Sequence, residues 1–273
     1  MAFIPKLIGQ PYDEKLELEY RHYVLNQGMG LYSAYGTYLS AKFGNDFVNL
    51  YLYFDRNSPN QEMILGRLHL AFNTPFFYHA NILSYQLSGH PLDTRVLVSF
   101  DSSKGSAIFV IDVITKHIFK KRLAGEILTM QMSLQAEKIR IYPTLEYYQK
   151  QEKNPYPLGT MFSVPYQDLY RPGVYQVAKT DVLIARAHSA SASAVVVGEI
   201  GYVEKIWHHQ GSQHQYLTTH AIVQTDFGEI SVIFHETDNA VKDIFRGQIL
   251  VAEGILVGDV AVGYFRQGTY SDA

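Results

Sequence analysis

Residues 195–209 read VVVGEIGYVEKIWHH, residues 215–236 read QYLTTHAIVQTDFGEISVIFHE, and residues 247–265 read GQILVAEGILVGDVAVGYF. The first run is rich in β-branched and aromatic residues, which favour strands. Gly198 and Gly201 interrupt it, and glycine inside a strand marks a bulge or a close backbone approach. Tyr216–Thr225 runs into Asp226-Phe227-Gly228, a hairpin signal, because Asp and Gly accept turn dihedrals that other residues resist. The returning run alternates: Ile230, Val232 and Phe234 share one face, and Ser231, Ile233 and His235 the other. Asp238 to Phe245 predicts a short helix, with Asp238 as N-cap and Val241, Ile244 and Phe245 at helical spacing. Gly247 ends it. Two further strands are expected at Gln248–Val257 and Val260–Phe265, joined at Gly258-Asp259.

Three strands, a short helix and two strands in about 70 residues resemble the oligonucleotide/oligosaccharide-binding (OB) fold, a small five-stranded barrel. The likeness rests on the glycine-interrupted first strand, the TDFGEISVIF hairpin and GQILVAEGILV. It covers about a quarter of the chain. The resemblance implies a ligand lying across the second and third strands, clasped by the loops after the first and fourth. The first loop would be Trp207-His208-His209-Gln210-Gly211-Ser212-Gln213-His214, with the single tryptophan of the chain and three of its eleven histidines. Rings there would stack on bases, at about 1–3 kcal/mol each. The candidate ligand-binding residues are therefore Trp207, His208, His209, Tyr216 and Phe234, with Lys205 and Arg266 as sources of positive charge. The plainer reading makes Trp207 a cap on the barrel core and the polar run a solvated tip.

Charge pulls the other way. Residues 195–273 carry ten acids and four bases, and non-specific binding of nucleic acid comes mainly from Lys and Arg neutralising phosphates. Residues 1–194 carry nineteen bases and sixteen acids. Their densest basic run is Lys116, His117, Lys120, Lys121 and Arg122, which reads equally well as a solvated face.

The whole chain has 273 residues, 47% of them hydrophobic and 18% charged. That composition excludes wholesale disorder and fits two domains. The 21 tyrosines and 15 phenylalanines favour sheets and also suit contact surfaces, since tyrosine offers rigid area with a polar tip. There is no cysteine, which removes disulfides, thiolate metal sites and cysteine nucleophiles. No apolar run approaches 18 residues and no signal-peptide core is evident, so a cytoplasmic, non-membrane protein is expected.

Taken in order, residues 13–27 predict a helix capped by Asp13, with an apolar stripe of Leu16, Tyr20, Tyr23 and Val24 and a stop at Gly28. Strands are expected within 31–55, at 63–72, at 127–134 and at 138–142, with a hairpin of 95–100 and 106–113 around Asp101–Gly105. Residues 150–173 hold four of the ten prolines and read as a connection. The expected organisation is mainly β (α+β): a β-rich N-terminal domain over 1–149 with a leading helix, a proline-rich connection over 150–194, and an OB-like barrel over 195–273. One internal echo is visible. Asp101, Gly105, Asp112–Phe119 and Ile127-Leu128 resemble Asp226, Gly228, Asp238–Phe245 and Ile249-Leu250. The flanking spacings differ, so coincidence is the simpler reading and a decayed duplication the alternative.

Nucleophile elbows, phosphate loops and dinucleotide fingerprints are missing, and the carboxylates form no defensible acid–base pair. An enzyme is the less favoured reading. His208, His209, His214, His220 and His235 lie close in sequence, but their spacing matches no established metal pattern, and no metal or cofactor is assigned. The favoured function is a non-enzymatic protein binding an extended chain, single-stranded nucleic acid first. The alternatives are a structural or assembly protein that forms homo-oligomers with the barrel as its interaction module, and a metal protein or enzyme built on the histidine cluster.

Overall fold

The β-branched and aromatic runs become strands in the computed structural model, which describes residues 18, 22, 25–26, 29–33, 36–42, 48–54, 65–72, 76–87, 94–113, 127–175, 179, 182–183, 190–210, 214–235 and 243–260. Residues 18, 22, 25 and 26 are helical, in agreement with the capped helix expected over 13–27. Strands β1 (Met29–Ser33), β2 (Gly36–Lys42), β3 (Val48–Phe54) and β4 (Leu65–Phe72) then form an antiparallel sheet in chain order.

The remaining strands fall into two sets of four. The first is β5 (Phe77–Leu87), β6 (Thr94–Ser102), β7 (Gly105–Val113) and β8 (Ile127–Tyr142). A covering segment follows: helix α1 (Leu145–Gln151), β9 (Met161–Ser163), a 3-10 turn (Val164–Leu169), and the small hairpin of β10 (Tyr170–Arg171) and β11 (Val174–Tyr175). The second set is β12 (Ser193–Gln210), β13 (His214–Thr225), β14 (Gly228–His235) and β15 (Ile249–Val260).

These eight strands close a barrel in the order β13-β14-β8-β5-β6-β7-β15-β12, with β12 pairing back onto β13. The fold is mainly β, as expected. The expected separation at 150–194 does not divide the sheet, because β8 lies between β14 and β15. The strand expected at Val260–Phe265 also changes. β15 runs straight through Gly258-Asp259, paired with β8 as far as Val260↔Met130. Gly258 is there because space is short, not to make a turn: a Cβ on it would lie 2.7 Å from Ile111 Cγ2. Residues 261–265 and most of the helix expected at 238–245 lie outside the described residues.

The two sets repeat one another, pair for pair. Within the first, β5 pairs with β8 through Phe77↔Gln131, His79↔Thr129 and Asn81↔Ile127. Within the second, β12 pairs with β15 through Val195↔Glu253, Val197↔Val251 and Glu199↔Ile249. The first strand of each set bulges, between Ile82 and Ser84 in one and between Ile200 and Tyr202 in the other. Each third strand runs parallel to the other set's fourth: β7 beside β15, β14 beside β8. Even the tight turns agree. Gly105 and Gly228 both have positive φ, and the hydroxyls of Ser102 and Thr225 each donate to that glycine's carbonyl. Of the sequence echo, Ile127 and Ile249 fall at equivalent ladder positions, whereas Asp101 and Asp226 do not, since Ser102 matches Thr225 in the turns. The sets differ past the bulge, where the first hairpin ends at Leu87↔Thr94 and the second runs on to Gln210↔His214.

Period-two alternation directs one row of side chains inward. The interior holds Tyr78, Ala80 and Ile82 from β5, Phe109 and Ile111 from β7, Met130, Met132 and Leu134 from β8, and Ile230, Val232 and Phe234 from β14. On the outside, Tyr166, Leu183, Ala190 and Ala192 cover Leu97, Ile108 and Val110. Tyr148 and Phe162 cover Val195, Val197, Ile249 and Val251, joined by Tyr156 and Leu158. The proline-rich segment is therefore a packed outer layer as well as a connection. Among the described residues no helix is long and apolar enough to cross a membrane.

Candidate functional site

The β12–β13 ladder carries most of the residues singled out in the sequence. It continues to Gln210↔His214, whereas β14 reaches only Thr218↔His235 and β15 only Glu199↔Ile249. Beyond Thr218, among the described strands, β12 and β13 pair only with each other and form a two-stranded ribbon. Trp207, His208 and His209 are therefore strand residues and not a loop, paired with Leu217, Tyr216 and Gln215. The reason is pairing across the ladder: Trp207 and Tyr216 favour strands, and the polar residues beside them each have a partner opposite. By register, positions 205, 207 and 209 belong to one face of the ladder and 208 and 216 to the other. The sequence placed all of them in one ligand surface, and one ladder carries them all on its two strands.

Phe234 is a different case. It is 2% exposed, packed in the barrel interior opposite Thr219, where no ring face is offered to a ligand. Its place in a strand was legible, but burial of its face was decided by which strands close the barrel. Lys205 is exposed and pairs with Thr219. Arg246 is exposed after β14, and Arg266 lies outside the described residues. Of the histidines, His220 is buried on β13 opposite Glu204 and Ile233. Among the described residues no group of three or more histidines and carboxylates is arranged to hold a metal ion.

A second feature was not singled out in the sequence. An open cleft of about 300 Å³ is lined, among the described residues, by Phe77, His79, Asn81, Ser99, Asp101, Ile127 and, at its floor, Tyr78, Phe100 and Phe227. Strands β5, β6 and β8 supply its wall. Phe77 and Ile127 are 57% and 65% exposed, unusual for large apolar side chains in one cleft. The rim is polar: His79 Nδ1 lies 3.3 Å from Thr129 Oγ1, and Asp101 accepts a hydrogen bond from the Ser106 hydroxyl. The floor is fixed. The Tyr78 hydroxyl donates to the Glu229 carbonyl, and Phe227 meets Phe109 edge-on at 5.4 Å between ring centres. Burial, then the charge of Glu229, pushes the Tyr78 phenol well above its usual range, so it stays a neutral donor. The sequence of residues 76–87 does not reveal which outward face stays uncovered, because that depends on distant segments.

The floor is continuous with the contact between the two duplicated turns. Lys104 Nζ lies 2.9 Å from Asp226 Oδ1, the Asp226 amide donates to the Gly159 carbonyl at 2.8 Å, and Tyr175 meets Phe227 edge-on at 4.7 Å. Gly159 is required here, because a Cβ on it would lie 2.6 Å from Asp226 Oδ1. This cluster is well satisfied and holds the turns together.

Comparison with protein-family models, with curated proteins and with solved structures gives no match.

Proposed function

We propose that this is a non-enzymatic binding protein whose ligand is an extended chain, single-stranded nucleic acid, taken up on the β12–β13 ribbon. The observation that supports it is the ribbon itself: it extends past the neighbouring strands with the lone tryptophan, three histidines and Tyr216 in its length. Strand ribbons and aromatic platforms are general means of engaging nucleic acid, and stacking tolerates any base sequence. A second support is the ring β12-β13-β14-β8-β15, which has the five-strand make-up of an OB barrel. In that likeness β8 takes the place expected of a C-terminal strand.

The acidic balance of residues 195–273 makes stacking, not phosphate neutralisation, the main source of affinity. Titrating short single-stranded DNA and RNA while following Trp207 fluorescence tests this. Saturable quenching with only a shallow salt dependence is the expected result, together with weaker binding of labelled oligonucleotide by Trp207→Ala. Absence of quenching at low salt, where phosphate attraction is strongest, rules out nucleic acid. The second reading, assembly through the ribbon, is favoured by its strand edges, which among the described strands have no ladder partner. Sedimentation showing an oligomer that a shortened ribbon dissociates would select it.

A further inference from the structure

The duplication makes the cleft informative, because its counterpart is occupied. In the second set, the outward face of Val195, Val197, Ile249 and Val251 is covered by Tyr148 from α1 and Phe162 from β9. By the ladder registers, the same positions in the first set are Phe77, His79, Ile127 and Thr129. Three of these line the cleft, and Phe77 and Ile127 are more than half exposed. Among the described residues one architecture thus carries two equivalent outer faces, one covered by aromatic side chains of its own chain, the other open.

We propose that the open face is a docking site for a short segment of a partner protein that supplies an aromatic ring and a basic side chain. The ring is inferred from the covered counterpart, where Tyr148 and Phe162 are the residues that fill it. A volume of about 300 Å³ suits one large side chain better than a folded surface. The basic group is inferred from charge. The rim carries the Asp101 carboxylate, and no lysine or arginine is among the described lining residues. Asn81 and Ser99, also on the rim, have no side-chain hydrogen bond within the described protein and are open to a partner backbone. Apolar anchors inside a polar rim are the usual anatomy of a peptide-binding surface.

The site is independent of the ribbon, so the two readings fail separately. The test is selection of a random displayed-peptide library on the whole chain, followed by fluorescence anisotropy with labelled synthetic peptides. Selected peptides are expected to share an aromatic residue with Lys or Arg nearby. Phe77→Ser and Ile127→Ser should each weaken binding about tenfold or more. Asp101→Asn should flatten the salt dependence. Because Phe77 and Ile127 are exposed, thermal melting of these variants should match the parent. The proposal is overturned if no peptide is enriched, or if affinity survives both substitutions. It is equally overturned if Ile127→Ser dissociates a self-associated form of the chain, since a second copy would then be the occupant.

Discussion

Gly254 sits where β8 bulges against β15, and a Cβ on it would lie 2.0 Å from the Gln135 carbonyl oxygen and 2.7 Å from Ala136 Cα. Both are backbone atoms of the strand that carries the middle of the barrel, and neither has room to retreat. Gly254→Ala is therefore expected to cost about 3 kcal/mol, near the upper end for overpacking, read from urea unfolding midpoints. Gly201→Ala is the control: its nearest neighbour is the Ile222 carbonyl oxygen at 3.7 Å, an ordinary contact, so its midpoint should stay within about 0.5 kcal/mol of the parent. The tyrosines give a second residue-level expectation. Burial first, then Glu152, pushes Tyr142 up to about 12, and burial likewise pushes Tyr148 up to about 12. In the unfolded chain both titrate near 10. Below that value the protein gains nothing further from them. As pH rises through 10 towards 12 the unfolded state loses these protons first, and stability falls. Denaturation midpoints that are flat from pH 8 to about 10 and then decline, with the decline reduced in Tyr142→Phe, are the expected pattern.

At the scale of single elements, the β12–β13 ribbon is the clearest case. Beyond Ile206↔Thr218 its residues pair only with each other among the described strands, and an isolated two-stranded ribbon adds little stability of its own. Joining Ile206 to Thr218 through an Asn-Gly turn should leave the melting temperature within a few degrees while removing any ligand signal of the ribbon. A large drop in melting temperature would show the ribbon to be part of the folding unit. Much of this level was legible in the sequence. The alternation at Ile230, Val232 and Phe234, the Asp226-Phe227-Gly228 turn and the hairpin around Asp101–Gly105 all depend on neighbours a few residues apart, and all appear as read. The lengths of β8 and β15 did not. Lys138–Tyr142 looked like a separate strand after Leu134, and Gly258-Asp259 like a turn. In each case pairing with a distant strand outweighs the local preference: β8 continues because β15 lies beside it from Met130 to Tyr142, bulge included. The same limit hid the cleft, since the exposure of Phe77 and Ile127 depends on what covers β5 and β8, not on their own neighbours in sequence.

For the molecule as a whole, the decisive fact is the exchange of fourth strands. β8 pairs with β14 of the second set, and β15 pairs with β7 of the first. Neither set closes its ring alone, and the interior residues from both form a single core. Residues 1–150 and 151–273, produced separately, should each lack cooperative unfolding. Produced together they should recover a complex with the parent's thermal transition, and the whole chain should show one calorimetric transition rather than two. Two independent transitions would refute this account of the barrel. The echo of Ile127 in Ile249 was too short to establish the duplication in the sequence. What the two sets share is ladder register, bulge position and turn hydrogen bonding, and many side chains satisfy those equally well.

The exchanged strand also imposes an order in time. During synthesis β5, β6, β7 and β8 emerge as a four-strand sheet more than a hundred residues ahead of β15. Until β15 arrives, the far side of β7 and the inner side of β8 have no neighbour, and such bare margins recruit other chains. Pairing between β7 and β15 joins Asp112 to Val257, so closure is a late and slow event. The growing chain on the ribosome thus passes through a prolonged half-built stage, and its yield in a cell should respond to chaperone supply and translation speed more than the stability of the finished barrel suggests.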